Sequence, residues 1–319
     1  MSARLRIGLF VAGLMAIFLA AAAVGSVVEP TETESGKPHG AEHVAAGESE
    51  GTEKTMETNA ANTHGGHGAT THEPAGLGIS AGGYTLRMSP TQIERGEAAE
   101  LRFTIDGAGG EPVAEFDELH ERRMHLIVVR RDGAEFRHLH PEMDAEGTWT
   151  IPIEFAEAGV YRAFADFSVG GEQHTIASDL FVSGGEFEAR PFPPAQPLDA
   201  TDGYEVRLRT GSPVAGEPTE LTFAVSQGGH EVHGLEPYLG AKGHLVALRE
   251  GDLAFLHVHP EEAEGDHGHG GQPAHGHEAG ANEIAFAATF PTAGRYRLYL
   301  QFKHEGAVRT AEFTVEVPR

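Results

Sequence analysis

Two stretches of this chain bring histidines to positions where their rings would converge. HLIVVRRDGAEFRHLHPE runs from His125 to Glu142, and HLVALREGDLAFLHVHPE runs from His244 to Glu261. Each is predicted as a β-hairpin, the first turning at Asp132-Gly133 through a type I′ turn and the second at Gly251-Asp252 through a type II′ turn. Counting outward from the first turn pairs Val129 with Phe136, Ile127 with His138, and His125 with His140. The same count in the second pairs Leu248 with Phe255, Val246 with His257, and His244 with His259. Opposed Cβ atoms lie about 4.5 to 5.5 Å apart, so His125, His138 and His140 share one face of their hairpin, as do His244, His257 and His259. Neutral imidazole is the commonest metal ligand, and three on one rigid hairpin suit copper(II) or zinc with a position left open. The competing reading makes them hydrogen-bonded edge residues capping the end of a sandwich, and a register slip of one residue would scatter them. Because Val129 and Phe136 are apolar, the shared face is expected to be the core side of its own sandwich, with the histidines half-buried at the open rim.

Further side chains could complete either shell: His120, Met124 and Met143 in the first copy, and His230 and His233 in the second. Methionine is more often a core filler than a ligand. Glu142 and Glu261 could orient an imidazole from behind. A loop over residues 262–281 adds His267, His269, His275 and His277 among glycines, and the stretch before residue 80 adds His39, His43, His64, His67 and His72. Such tracts hold borderline metals loosely, or serve as soluble spacers.

The elements that carry these residues are repeated. Gly83 to Ile105 matches Gly203 to Val225 without a gap, and FAEAGVYRAFADF from Phe155 matches FPTAGRYRLYLQF from Phe290. Each copy reads as about seven short strands with period-two alternation and turn residues between them. In the first copy these fall near residues 84–90, 98–106, 123–131, 135–140, 147–155, 159–167 and 173–182. Tyr161 and Tyr296, each after Ala-Gly-x at the start of a late strand, fit the tyrosine corner of immunoglobulin-like sandwiches. The expected fold is therefore all-β: two tandem immunoglobulin-like (cupredoxin-like) sandwiches at 81–185 and 201–319. A proline-rich linker at 186–200 is expected to be a semi-rigid extended spacer.

Ahead of the repeats, Arg4 and Arg6 precede an uncharged apolar run from Ile7 to Val28, which predicts export through a transmembrane anchor or a signal peptide over 1–28. Residues 29–80 have no apolar periodicity and are expected to be a disordered tether. The bulk of the chain is then outside the cell, tied to the membrane by the N-terminal helix or secreted. Acidic residues number 48 against 23 basic ones, for a net charge of −25, so nucleic acid is excluded as a partner and cations are favoured. No cysteine occurs, which removes disulfides, thiolate catalysis and a blue-copper site.

In LEPYLGAKGHLVALREGDLAFLHVHP, and in its companion ELHERRMHLIVVRRDGAEFRHLHPEM, the chain resembles bacterial envelope proteins grouped as YtkA-like or heavy-metal-associated secreted proteins. The resemblance covers about residues 80 to 319 and implies an immunoglobulin-like sandwich outside the cell with a part in copper or other metal handling. Two functions follow as expectations. One is an extracytoplasmic metal binder that buffers or delivers copper or zinc. The other is an interaction module that docks on another envelope protein, its histidines being structural. An enzyme is not expected, because the chain shows neither a nucleophile motif nor paired catalytic carboxylates.

Overall fold

The computed structural model describes residues 74–260 and 280–319, apart from the side chains of 257, 259 and 260. The expected anchor, most of the tether and the His267–His277 loop lie outside the described residues. Among those described, no helix is long and apolar enough to cross a membrane.

The first repeat carries β1 (Ser80–Ala81), β2 (Tyr84–Ser89), β3 (Gln92–Glu94), β4 (Ala98–Asp106), β5 (His125–Arg130), β6 (Arg137–Leu139), β7 (Glu142–Met143), β8 (Trp149–Glu154), β9 (Gly159–Val169) and β10 (Glu172–Ser183). They form two sheets, β1-β2-β4-β8-β7 and β3-β10-β9-β5-β6. The second repeat carries β11 (Leu198–Thr201), β12 (Tyr204–Thr210), β13 (Pro218–Gln227), β14 (His230–Glu231), β15 (Gly243–Arg249), β16 (Phe255–Pro260), β17 (Glu283–Thr289), β18 (Gly294–His304) and β19 (Ala307–Val317). Here β16 pairs with β15 through Val258 and His257 and then with β17 through His259 and Pro260, so one strand passes between the two sheets. In the first repeat the same switch is made by two strands, β6 on β5 and β7 on β8, separated at Pro141.

Alternation drives each half. Along β4, Leu101, Phe103 and Ile105 are buried while Glu100 and Arg102 face solvent, and β13 repeats this with Leu221, Phe223 and Val225. These residues feed two separate cores, one per sandwich. Both tyrosine corners close as expected: the Tyr161 hydroxyl donates to Glu157 O and the Tyr296 hydroxyl to Thr292 O, each at 2.9 Å. The chain is thus an all-β pair of immunoglobulin-like sandwiches.

Strand β5 departs from alternation, because all six of its residues are buried. Leu126 and Val128 enter the core of their own sandwich, whereas Ile127 and Val129 enter a third apolar cluster with Phe164, Ala177, Val246, Leu248, Leu253, Phe255 and Tyr299. That cluster draws on both repeats. The face expected to line the core of one sandwich is therefore the joint between two of them, and the run from Leu126 to Val129 is continuously apolar because both of its faces are covered.

Each hairpin keeps its predicted register, with Ile127 opposite His138 and Val246 opposite His257. Neither tip is a two-residue primed turn. In the first, Gly133 N–H donates to Arg130 O at 2.8 Å and Arg130 N–H to Ala134 O at 2.8 Å, with positive φ at Gly133 and Glu135. In the second, Leu253 N–H donates to Arg249 O at 2.9 Å. An aspartate replaces turn type as the fixing element: Asp132 accepts from Arg130 Nε at 2.9 Å, and Asp252 accepts from Arg249 Nε at 3.0 Å.

The linker is not a free spacer either. Its Arg190 N–H donates to Asp132 at 2.8 Å, and Phe192 lies under the Arg295 guanidinium. A Cβ at Gly133, whose φ is +77°, would stand 2.9 Å from the Phe192 ring, so this turn needs glycine twice over.

Candidate metal centre at the joint

Strand pairing sets the rows on which the site is built. Opposite His125 on β9 stands Asp166, and opposite His244 on β18 stands Gln301. His138 stands opposite Ile127, one residue pair away. Both rows face the joint, so His244 of the second repeat meets His125 and His138 of the first there. Ring centroids of His125, His138 and His244 lie 4.9 to 5.5 Å apart. His140 stands 4.8 Å from His138 and 5.2 Å from His125, and His120 stands 5.3 Å from His244.

One ring nitrogen from each of His125, His138 and His244 falls in a group whose members all lie within 4.8 Å of one another. His125 and His244 are buried, at 1% and 6% exposed, while His138 and His140 are half-buried as expected.

The hydrogen bonds behind the rings fix which nitrogens face inward. His125 Nε2–H donates to the carbonyl of Leu119 at 2.8 Å, and His138 Nδ1–H donates to Gln301 Oε1 at 2.6 Å. The Gln301 Nε2 donates in turn to Thr310 Oγ1 at 3.5 Å. In the neutral rings this leaves His125 Nδ1 and His138 Nε2 as lone pairs, and they face each other at 2.9 Å. Two ring nitrogens at that distance can share a proton as a hydrogen bond or serve as joint ligands of one metal ion. Two nitrogens bound to one zinc or copper ion at about 2.0 to 2.1 Å, separated by about 90 to 110°, stand about 2.9 to 3.4 Å apart. A backbone carbonyl and an amide oxygen behind the rings are the partners that hold metal-ligating imidazoles in place.

A proton is the poorer occupant at neutral pH. Burial, then the neighbouring His125 and His140, hold His138 well below the usual imidazole value, partly opposed by the Gln301 bond and the Asp166 charge. Burial, with His125 and Arg122 nearby, pushes His140 down to about 4. Its Nε2 is buried with no hydrogen-bond partner among the described residues. Asp166, 1% exposed, supplies a negative charge close by, and accepts from Thr175 Oγ1 at 2.8 Å and from Gln173 Nε2 at 3.2 Å.

Of the residues singled out from sequence, His125, His138, His140, His244 and His120 come together. The side chains of His257 and His259, and all of His267, His269, His275 and His277, lie outside the described residues. Met124 is buried in the core of the first sandwich and Met143 packs against that core, so both act as apolar filler rather than ligands. His230 and His233 are exposed, His230 on the β14 edge strand beside β13. Glu142 is exposed as well. Sequence reasoning missed Gln301 and Asp166. They occupy equivalent positions in the matched blocks from Phe155 and Phe290, and a polar residue inside the otherwise apolar runs Ala163–Phe167 and Leu298–Phe302 was the available signal.

Fold and site together define a tandem-sandwich protein whose inter-repeat joint encloses an imidazole cluster. The chain belongs to the family described as a domain of unknown function, DUF8832, which matches residues 79–184 and 199–319. Comparison with curated proteins gives no match. Solved structures similar to this chain include an alpha-2-macroglobulin of Salmonella, at 14% identity over 78% of this chain and 15% of that one, with a TM-score of 0.26. The FdeC adhesin of Escherichia coli is similar at 14% identity over 75% of this chain and 65% of that one, also at 0.26. InvD of Yersinia pseudotuberculosis is similar at 13% identity over 75% and 58%, at 0.25. This chain spans less than two thirds of each of them, and such scores carry no argument about function.

Proposed function

We propose that this chain is a non-enzymatic, extracytoplasmic metal-binding module that takes copper(II) or zinc on His125, His138 and His244, for buffering or delivery of the ion. The observation that carries this reading is the 2.9 Å approach of His125 Nδ1 to His138 Nε2 while the far nitrogen of each ring faces a carbonyl oxygen. His140 is the natural fourth ligand, since its buried Nε2 has no other described partner. The glycine-interspersed histidine tracts before residue 80 and over 262–281 would collect ions loosely and feed the joint. The N-terminal apolar run supports placement outside the membrane.

Titration calorimetry of the whole chain with zinc and copper(II) tests the proposal. One tight site above a background of weak ones is expected, and the double variant His125→Gln, His138→Gln should lose the tight site by at least about 100-fold. A tight site that survives both substitutions, or no tight site at all, would end this reading.

A second reading, an interaction module of the cell envelope, is favoured by a different feature. Phe181 and Phe187 are each about half exposed, at 52%, and both adjoin the start of β9, where Phe181 pairs with Val160 and Phe187 lies against Gly159. On that reading, replacing His125, His138 and His140 by glutamine leaves cross-linking to an envelope partner unchanged.

A further inference from the structure

The site is incomplete in either repeat alone. His125, His138 and the Leu119 carbonyl belong to the first sandwich, while His244 and Gln301 belong to the second. Beside them the joint carries an apolar cluster drawn from both repeats, with Phe136 stacked on Tyr299 at 4.1 Å, Phe164 against Phe255 at 5.3 Å, and the Tyr299 hydroxyl donating to Gly133 O at 2.6 Å. A segment ahead of β1 also ties the two halves. Phe255 N–H donates to Ala75 O at 2.9 Å, and Gly76 N–H donates to Thr175 O at 3.0 Å.

We infer that the ion of the proposed site closes the joint between the two sandwiches, so that metal loading locks the tandem and metal loss lets it part. The inference rests on the metal reading and adds a conformational consequence to it. His125 and His138 lie on one hairpin of the first sandwich, and His244 of the second reaches them only across the closed joint, at 5.5 and 4.9 Å between ring centroids. An ion that meets three imidazoles only in the closed form binds that form more tightly, and its differential affinity is what shifts the population. The apolar rows on either side supply a fitted surface that reseals when the ion returns. Delivery to a partner would then coincide with opening of the joint.

The absence of cysteine gives a clean reporter. Ala177 is 1% exposed in the joint cluster, on the row that runs His138, Ile127, Phe164, Ala177. At about 4.8 Å per strand it stands about 14 Å from His138, too far to ligate. In the full chain carrying Ala177→Cys, labelling of the thiol is followed at one pH with saturating zinc, which is redox-inert, and after chelation. Zinc is expected to slow labelling at least tenfold, and adding His244→Gln should abolish the slowing. Tight zinc binding with an unchanged labelling rate would overturn the inference while leaving the metal site standing within one repeat. Absence of tight zinc binding would instead remove the metal reading beneath it. Should the cysteine variant fail to fold, exchange of the Phe255 amide in the unaltered chain reads the same event. Zinc must protect that amide by tenfold or more, and equal exchange with and without zinc counts against closure.

Discussion

The two repeats present the same pair of strands to the joint and differ at one informative position: Asp166 stands opposite His125 in the first, and Gln301 stands opposite His244 in the second. The aspartate is held within its own sheet by Thr175 and Gln173. The glutamine reaches across the joint to His138 and still has an amide nitrogen for Thr310. Two carboxylates at these positions would bury two like charges in one small space, which costs more than one charge and one neutral acceptor. Duplication thus supplied two equal scaffolds, and their divergence assigned them different parts. One repeat brings most of the imidazoles and a negative charge, and the other brings a neutral oxygen that sets the tautomer of a ring it does not own.

The strongest way to break this comparison is to ask whether the joint is packed as the cores are. Phe164, fully buried in the joint, and Phe103, buried in the first core, are matched in size. In the zinc-loaded chain each phenylalanine-to-alanine change is expected to cost about 3 to 5 kcal/mol, measured by denaturant unfolding. A cost below about 1 kcal/mol for Phe164→Ala, beside a full cost for Phe103→Ala, would mean that the two sandwiches merely touch.

Next in size is the tautomer assigned by Gln301. Gln301→Leu removes the acceptor behind His138 and is expected to weaken zinc binding by about 10-fold or more, with the unfolding midpoint of the metal-free chain nearly unchanged. Gln301→Glu keeps an oxygen there and should lose less. If both variants bind zinc as the parent does, the cross-joint bond has no part in holding the ring.

Much of this arrangement was legible in the residues. Period-two alternation was enough to place the strands, and counting outward from the Asp132-Gly133 and Gly251-Asp252 centres placed both hairpin registers. The tyrosine corners were legible because Tyr161 and Tyr296 hold fixed places after a glycine turn. What covers the other face was not. Alternation says that Ile127 and Val129 are buried but not by which sheet, and a covering repeat satisfies the pattern as well as a facing one. For the same reason the meeting of His244 with His125 across the two repeats was not legible. The turn types failed on a local point, since the Asp132 and Asp252 side chains hold these loops by hydrogen bonds that turn statistics on backbone angles do not capture.

Acid offers a subtler test. His138 and His140 titrate below an ordinary imidazole when folded, His140 near 4. As the pH falls below about 6.5 the unfolded chain takes up protons at these rings while the folded metal-free chain does not, so unfolding gains and the fold loses stability, with the loss at His140 complete near pH 4. Denaturation midpoints of the metal-free chain should therefore decline from pH 7 to pH 4.5, and less steeply in His140→Gln. Parallel declines in parent and variant would show that His140 is not held neutral by its surroundings.

The smallest expected effect is the one that should not distinguish the repeats. Tyr161 and Tyr296 each lose one hydrogen bond to a backbone carbonyl four residues upstream when replaced by phenylalanine, Tyr296 also its weaker 3.1 Å contact with Thr292 Oγ1, and the buried rings keep their packing against Phe155 and Phe290. A neutral hydrogen bond of this kind contributes about 0.5 to 1.5 kcal/mol. Each substitution should lower stability by about that amount in urea, with zinc affinity unchanged, because both corners lie at the strand ends away from the histidine rows. Equal effects would confirm that the duplicated scaffolds remain equivalent where they do not meet. A loss of zinc binding in Tyr296→Phe alone would place the asymmetry in the fold of the second sandwich, and not in the single exchange of Asp166 for Gln301.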